Sequence, residues 1–430
     1  MRNLNLSSLV LLLLTFNAVA QVKTDDMLKK MLSSTDHKIL NHVIQHKDSF
    51  LVQIIYTQIN RDKNNRPSFQ NYYFNVDTSL YFNPASTVKL PIALLALEKL
   101  NALNIKGVNK YTSLQVDSSF QWQRPDHHDS TAENYLPSVA QYIKKMLLVS
   151  ENDPYNRLYQ FVGQQTINRN LYKKGYRSTR ITRQFLGLTE DQNRHTNAIR
   201  FLNPAGELIY SQPPAYNTDP FYFGREIKIG NGHYRGGKLI NEPIDFTKVN
   251  NLPLEDLQQI LQSTMFPQSV PAAQRFNLTD EDYKFMHQYL SQYPSETNYP
   301  KYDSNEYYDS YAKFYFRNES HQMPAHVRVF NKVGWAYGFV IDASYVVDFK
   351  NQVEFMLTAT VYVNRDGILN DDKYEYESVG SPFMYQLGQT VYQYELKRKR
   401  KYAPDLSSFK IQYEQRDIHN TRPVVKSVNN

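Results

Sequence analysis

The spacing of apolar residues changes period several times along the chain. Between Asp25 and Lys47 apolar residues recur at Met27, Met31, Leu40, Val43 and Ile44, which predicts a helix. SFLVQIIYTQI (Ser49–Ile59) is branched and apolar and predicts a strand. The polar turn RDKNNRPS (Arg61–Ser68) and the run FQNYYFNV (Phe69–Val76) complete a hairpin. From Ser86 to about Leu103 apolar residues cover nearly every helical face, so this helix is expected to be central. Pro91 falls near its first turn, where a missing N–H costs little. Ser138–Val149 and Asp153–Val162 predict two more helices, with Asp153-Pro154 as cap and first position. Thr196–Asp245 differs: its glycines and short alternating runs predict an inserted β-rich segment. Helical spacing returns at Leu254–Met265 and Asp280–Leu290. Two strong strands, Tyr337–Phe349 and Val353–Val363, flank the tight link Lys350–Gln352. Ser378–Lys399 predicts a closing helix, and the tail from Tyr402 is expected to be loose.

No repeat of solenoid length is visible. A lone hairpin is marginal in water, so the strands near the two ends are expected to share one sheet. The fold class expected is α+β: an antiparallel sheet from N- and C-terminal strands flanked by helices, plus an all-helical lobe with a β-rich insertion. The α/β part spans about 21–83 and 326–400. The lobe spans about 84–325 with the insertion at about 196–245, and residues 401–430 form a tail.

Composition narrows the setting. One basic residue, Arg2, precedes the apolar stretch Leu9–Phe16, and Ala18-Val19-Ala20 offers a cleavage site before Gln21. This reads as a signal peptide over residues 1–20, cut after Ala20, so a periplasmic or secreted protein is expected. No other stretch reaches the length of a membrane span. The chain has no cysteine, so a core rather than disulfides must stabilise it. The net charge of +7 is mild over 430 residues. The basic run Lys397–Lys401 is read as a solvated helix end, and no nucleic-acid partner is expected. Tyrosine is abundant and clusters in Asn298–Phe316, which is read as packing. A monomer is expected.

Several catalytic signatures are missing: G-x-S-x-G, G-x-x-x-x-G-K-[ST] and H-E-x-x-H. GNGHYRG (Gly230–Gly236) places Arg235 where a dinucleotide loop needs glycine. His37, His42 and His46 are read as exposed helix residues, so neither metal nor cofactor is expected. What stands out is Ser86 with Lys89. A serine hydroxyl is a weak nucleophile until a base takes its proton. Lysine serves when desolvation or nearby cations depress its charge, and residues three apart on a helix share a face. S-x-x-K also occurs at Ser310/Lys313 and Ser407/Lys410, but only Ser86/Lys89 opens a long buried helix. Ser150-Glu151-Asn152 follows downstream. K-x-G occurs at Lys173, Lys228 and Lys332, and only Lys332-Val333-Gly334 leads into the strong strand pair.

The ordered S-x-x-K, S-x-N and K-x-G set resembles the class A β-lactamase-like serine hydrolases of the penicillin-recognising group. The resemblance covers roughly Asp25 to Lys399. It implies that Ser86 is acylated, that Lys89 accepts its proton or partners the acceptor, and that Ser150 relays a proton to the leaving nitrogen. It further implies that Asn152 binds the substrate amide and that Lys332 sets the field and positions a substrate carboxylate. The backbone N–H groups of Ser86 and of Trp335, the residue after Gly334, would form the oxyanion hole. Glu151 replaces the family's aspartate. Val333 replaces a threonine or serine whose hydroxyl contacts a β-lactam carboxylate. Glu190, in Gly187–Asn197, is the candidate for the deacylating base, with a spacing to Asn193 one residue shorter than the family's; the alternative reading is an exposed acid at a turn or helix start. The implied function is hydrolysis of β-lactam amides through an acyl-enzyme. The alternatives are a peptidoglycan-directed D-Ala-D-Ala peptidase or other amidase or esterase, with small-molecule or peptidoglycan-derived substrates, and a non-catalytic cell-wall or glycan-binding protein.

Overall fold

The computed structural model describes residues 22–428; the signal-peptide reading of residues 1–20 lies outside them. Its central sheet is antiparallel and five-stranded, ordered Val327–Ala336, Phe339–Asp348, Val353–Tyr362, Gln53–Arg61, Pro67–Phe74. The N-terminal hairpin joins the C-terminal strands through one pairing, in which Tyr56 lies opposite Leu357. Helices Asp26–Ser33, Lys38–Gln45 and Ser381–Lys397 cover one face, where Leu28, Leu40 and Val43 pack with Phe383 and Leu387. The lobe covers the other face around Lys89–Leu103, Asn152–Val162 and Leu254–Met265. The architecture is α+β. With both faces covered, Phe339–Asp348 is buried at every position, which is why its sequence reads as a continuous apolar run rather than an alternation.

Several elements depart from the sequence reading. The helix expected over Asp25–Lys47 is two helices. Ser34 Oγ donates to Met31 O at 2.9 Å and Asn41 Nδ2 to Thr35 O at 2.7 Å, so polar side chains bond the backbone between them and break the run. Lys332-Val333-Gly334 does not precede the strand pair but lies inside a further strand, Val327–Ala336. Polar Arg328, Asn331 and Lys332 hide that strand's apolar pattern. The β-rich segment divides between two partners. Ala198–Leu202 and Leu208–Gln212 extend a sheet begun by Ser113–Asp117, whereas Gly232–Arg235 pairs in parallel with Ile368–Leu369, just after the last long strand.

The tail is docked, not loose. Leu406 and Phe409 are buried, and Phe409 packs on Phe266, Phe330 and Tyr345. Arg416 donates to the carbonyls of Pro294, Thr297 and Tyr302. These anchors come singly, without a period that would announce them. The basic run is not simply solvated either: Arg398 and Arg400 both bond the buried Glu395 carboxylate, to which Tyr56 also donates. In the tyrosine-rich segment Tyr302, Tyr307, Phe314, Tyr315 and Phe316 are buried.

Candidate active site

Ser86 sits in a short turn of 3₁₀ helix, Ala85–Val88, which runs directly into the buried helix Lys89–Leu103. In 3₁₀ geometry residues three apart eclipse, so the Ser86 and Lys89 side chains align more closely than in an α-helix. Lys89 Nζ lies 2.9 Å from Ser86 Oγ. Asn83 Oδ1 accepts from Ala85 N at 2.8 Å and steadies the turn entry. The next stretch enters from the end of helix Val139–Leu148. Lys89 Nζ bonds Ser150 O, lies 3.3 Å from Ser150 Oγ and donates to Asn152 Oδ1 at 2.7 Å. The third stretch is the strand Val327–Ala336, from which Lys332 Nζ donates to Ser150 Oγ and Val333 O, each at 2.8 Å. Ser150 Oγ therefore bridges two lysines.

Backbone geometry is unusual at the same place. Ala85 (φ 45°) and Ser150 (φ 68°) are both left-handed, which L residues adopt at a cost of about 1–3 kcal/mol. Gly334 provides the close approach of the strand to the nucleophile turn: a Cβ there would lie 2.9 Å from Ser86 N and 3.0 Å from Pro84 O. Trp335 follows it, so its backbone is brought beside that of Ser86.

Electrostatics suit a lysine base. Lys89 is fully buried, and burial first, then the Lys332 charge, hold its pKa well below the usual lysine range, with Glu151 opposing. A neutral amine has two N–H donors and one lone pair. Ser150 O and Asn152 Oδ1 take the donors, which leaves the lone pair for the Ser86 hydroxyl. Burial also lowers Lys332 to about 7, against the opposing pull of Asp342. Behind the strand, Lys313 donates to Leu290 O, Val329 O and Asn331 Oδ1, and Asn331 Nδ2 donates to Asp342 Oδ1. The Ser310/Lys313 copy of S-x-x-K is thus a structural clamp.

The acylation rate is expected to be bell-shaped in pH. It rises as Lys89 loses its proton and becomes a base. It falls as Lys332 loses its proton near 7, because the ammonium that donates to Ser150 is then gone. Lys332→Arg keeps a positive donor at all accessible pH and should remove the alkaline limb. Acylation rate constants measured across pH for both proteins check this, and a wild-type profile without a falling limb contradicts it.

Other expected residues are placed differently. Glu190 does not join the cluster. It opens the short helix Glu190–Asn193, is about half exposed, and accepts from Lys248 Nζ at 3.0 Å. Thr189 caps this helix, and the Glu190 carboxylate is paired with Lys248 rather than with any residue of the Ser86 cluster. Asn193 points inward instead and accepts from Gln184 N at 2.8 Å, holding the loop. The buried Glu151 carboxylate is turned toward Tyr302, whose hydroxyl donates to it at 2.6 Å, and toward Lys145 at 3.5 Å. Val333 is buried among apolar residues and offers the cavity no polar group.

A cavity of about 460 Å³ opens over Ser86, Ser150 and Asn152. Phe185, Trp335, Tyr337, Tyr374 and Tyr376 also line it. Sequence reasoning missed all of these rings except Trp335. Tyr337 was within reach as a near neighbour of Lys332-Val333-Gly334, but no pattern marks Phe185, Tyr374 or Tyr376.

Residues 11–204 match the model of the Beta-lactamase enzyme family. That span includes Ser86, Lys89, Ser150 and Asn152 and ends before Lys332. No curated protein sequence matches the chain. Similar solved structures include a beta lactamase from Xanthomonas campestris pv. campestris, at 13% identity and a TM-score of 0.47, covering 86% of this chain and 100% of that one. A beta-lactamase from Francisella tularensis is 12% identical with a TM-score of 0.47, covering 82% and 97%. A class A beta-lactamase from Mycobacterium abscessus is 11% identical with a TM-score of 0.42, covering 82% and 96%. The family match supports a β-lactamase-like serine hydrolase acting on amide bonds.

Proposed function

We propose that this chain is an exported active-site-serine hydrolase that cleaves an amide or ester through an acyl-enzyme on Ser86, and that β-lactams acylate it. One observation carries the reading: Ser86 Oγ, Lys89 Nζ, Ser150 Oγ and Lys332 Nζ converge from three distant stretches. Neutral Lys89 takes the Ser86 proton as Oγ attacks the carbonyl carbon. The N–H groups of Ser86 and Trp335 stabilise the oxyanion. Ser150, held by Lys332, passes the proton that Lys89 took from Ser86 on to the leaving atom as its bond to the carbonyl carbon breaks, which returns Lys89 to the neutral amine and Ser150 to the hydroxyl. Asn152 orients the substrate amide. Water then releases the acyl group and restores Ser86. The apolar N-terminus ending in Ala18-Val19-Ala20 supports export.

Fast class A-type β-lactam hydrolysis needs a base for the deacylating water. The Glu190–Lys248 ion pair favours slow release, hence an amidase, peptidase or esterase whose own substrate is not a β-lactam. Intact-mass measurements with benzylpenicillin test this. One adduct per chain that decays slowly is expected, none on Ser86→Ala, and a nearly unchanged decay on Glu190→Gln. An adduct that survives Ser86→Ala removes the reading, and a large slowing on Glu190→Gln restores that residue as the base.

A further inference from the structure

The wall of the Ser86 cavity is rich in rings, set beside the polar side chains of Asn152, Asn370 and Asp372. Phe185, Trp335, Tyr337, Tyr374 and Tyr376 supply it with rings. Two of the three lining tyrosine hydroxyls are already engaged with backbone: Tyr374 Oη accepts from Asn370 N and Tyr376 Oη accepts from Gly338 N, each at 2.8 Å. Their rings are thereby held in place. The rings are also braced from behind. Phe246 meets Tyr337 edge to face at 5.2 Å between centroids, and Tyr337 and Tyr374 pack against Tyr81, Ile227, Phe246 and Leu369. The pairing of Gly232–Arg235 with Ile368–Leu369 ties the β-rich segment to the same loop. At Gly230 a Cβ would lie 2.8 Å from Gly367 O, so that contact needs glycine.

Charge points the same way. Among the described residues that line the cavity there is no arginine, lysine or histidine, and the one ionisable group besides tyrosine is the exposed carboxylate of Asp372. Lys89 and Lys332 direct their Nζ atoms to Ser86, Ser150, Asn152 and Val333 O, behind the cavity floor. Val333 supplies no hydroxyl. A substrate carboxylate entering here would lose water, find no cation in the wall and face Asp372, which is costly. A flat uncharged group would gain ring contacts.

Resting on the serine-hydrolase reading above, we infer that this site takes substrates with an uncharged, ring-bearing or apolar group beside the scissile bond and discriminates against a carboxylate there, with Tyr374, Tyr376 and Asp372 as the selecting residues. The loop 364–376 and the segment 227–246 that braces it exist, on this inference, to build that wall.

Two matched pairs test it: benzylpenicillin against its methyl ester, followed as acylation of Ser86 by intact mass, and phenylacetoxyacetate, whose carboxylate lies one carbon from the scissile ester oxygen, against its methyl ester, followed as kcat/KM for release of phenylacetate. Each pair differs in a single negative charge. The neutral member is expected to react about tenfold faster or more. Tyr374→Ala should shrink the neutral-over-charged ratio. Asp372→Lys, a change at an exposed position that spares the core, should shrink it by raising the rate of the charged member. A carboxylate member that reacts as fast as its ester, or a ratio unmoved by Asp372→Lys, overturns the inference. So does a failure of both neutral members to react while a fluorophosphonate still labels Ser86. Absence of fluorophosphonate labelling as well would instead overturn the serine-hydrolase reading, and the inference with it.

Discussion

Lys89→Met is expected to slow acylation of Ser86 by about 10²–10⁴-fold, the range a positioned general base contributes. Methionine fills similar space without an amine, so the fold should persist while the proton acceptor 2.9 Å from Ser86 Oγ is lost. Ser150 Oγ lies 3.3 Å from the same amine but is held by Lys332 at 2.8 Å, and a serine hydroxyl is no substitute base. Rates of adduct formation with a fluorescent penicillin, beside near-ultraviolet circular dichroism to report packing, measure the effect. Full acylation by a well-folded Lys89→Met protein would remove Lys89 from the mechanism.

Gly334→Ala is expected to cost about 10²–10³-fold in acylation, the magnitude of losing one oxyanion donor. The added methyl would meet Ser86 N at 2.9 Å and Pro84 O at 3.0 Å. Both are backbone atoms and cannot rotate aside, so the strand must retreat from the turn. Retreat separates the Ser86 and Trp335 N–H groups, which under the proposed mechanism have to point at one oxygen. The check is the acylation rate compared with the melting temperature: a large kinetic loss with a modest shift in melting marks an effect on the donors. An unchanged rate would mean that the strand and turn do not jointly hold the oxyanion.

Much of this arrangement was legible in the chain, but unevenly. The helix Leu254–Met265 has the bounds read from its spacing. The hairpin and the closing helix lie within a few residues of their expected ends, because periodic burial leaves a local signature. Val327–Ala336 was missed since Arg328, Asn331 and Lys332 interrupt its apolar pattern and are satisfied by partners far away, such as Glu296 for Arg328. The docked tail was missed for a related reason: Phe409 and Arg416 each find a distant receptor, and one aromatic or one arginine carries no period.

For the site, the nearness of Ser86 and Lys89 follows from sequence alone, because residues three positions apart on a helical turn share a face. So do the apolar character of the helix after them and the α+β class. Only the folded chain decided the rest: that Lys89 is stripped of water, that Lys332 meets Ser150, that Glu190 turns to Lys248, and that the rings of Phe185, Trp335, Tyr337, Tyr374 and Tyr376 line the cavity over the serine. The reason is physical. Helical and strand periods are short-range properties of the backbone. Desolvation and charge interaction depend on which atoms surround a group in space, and most of those atoms belong to residues tens to hundreds of positions away.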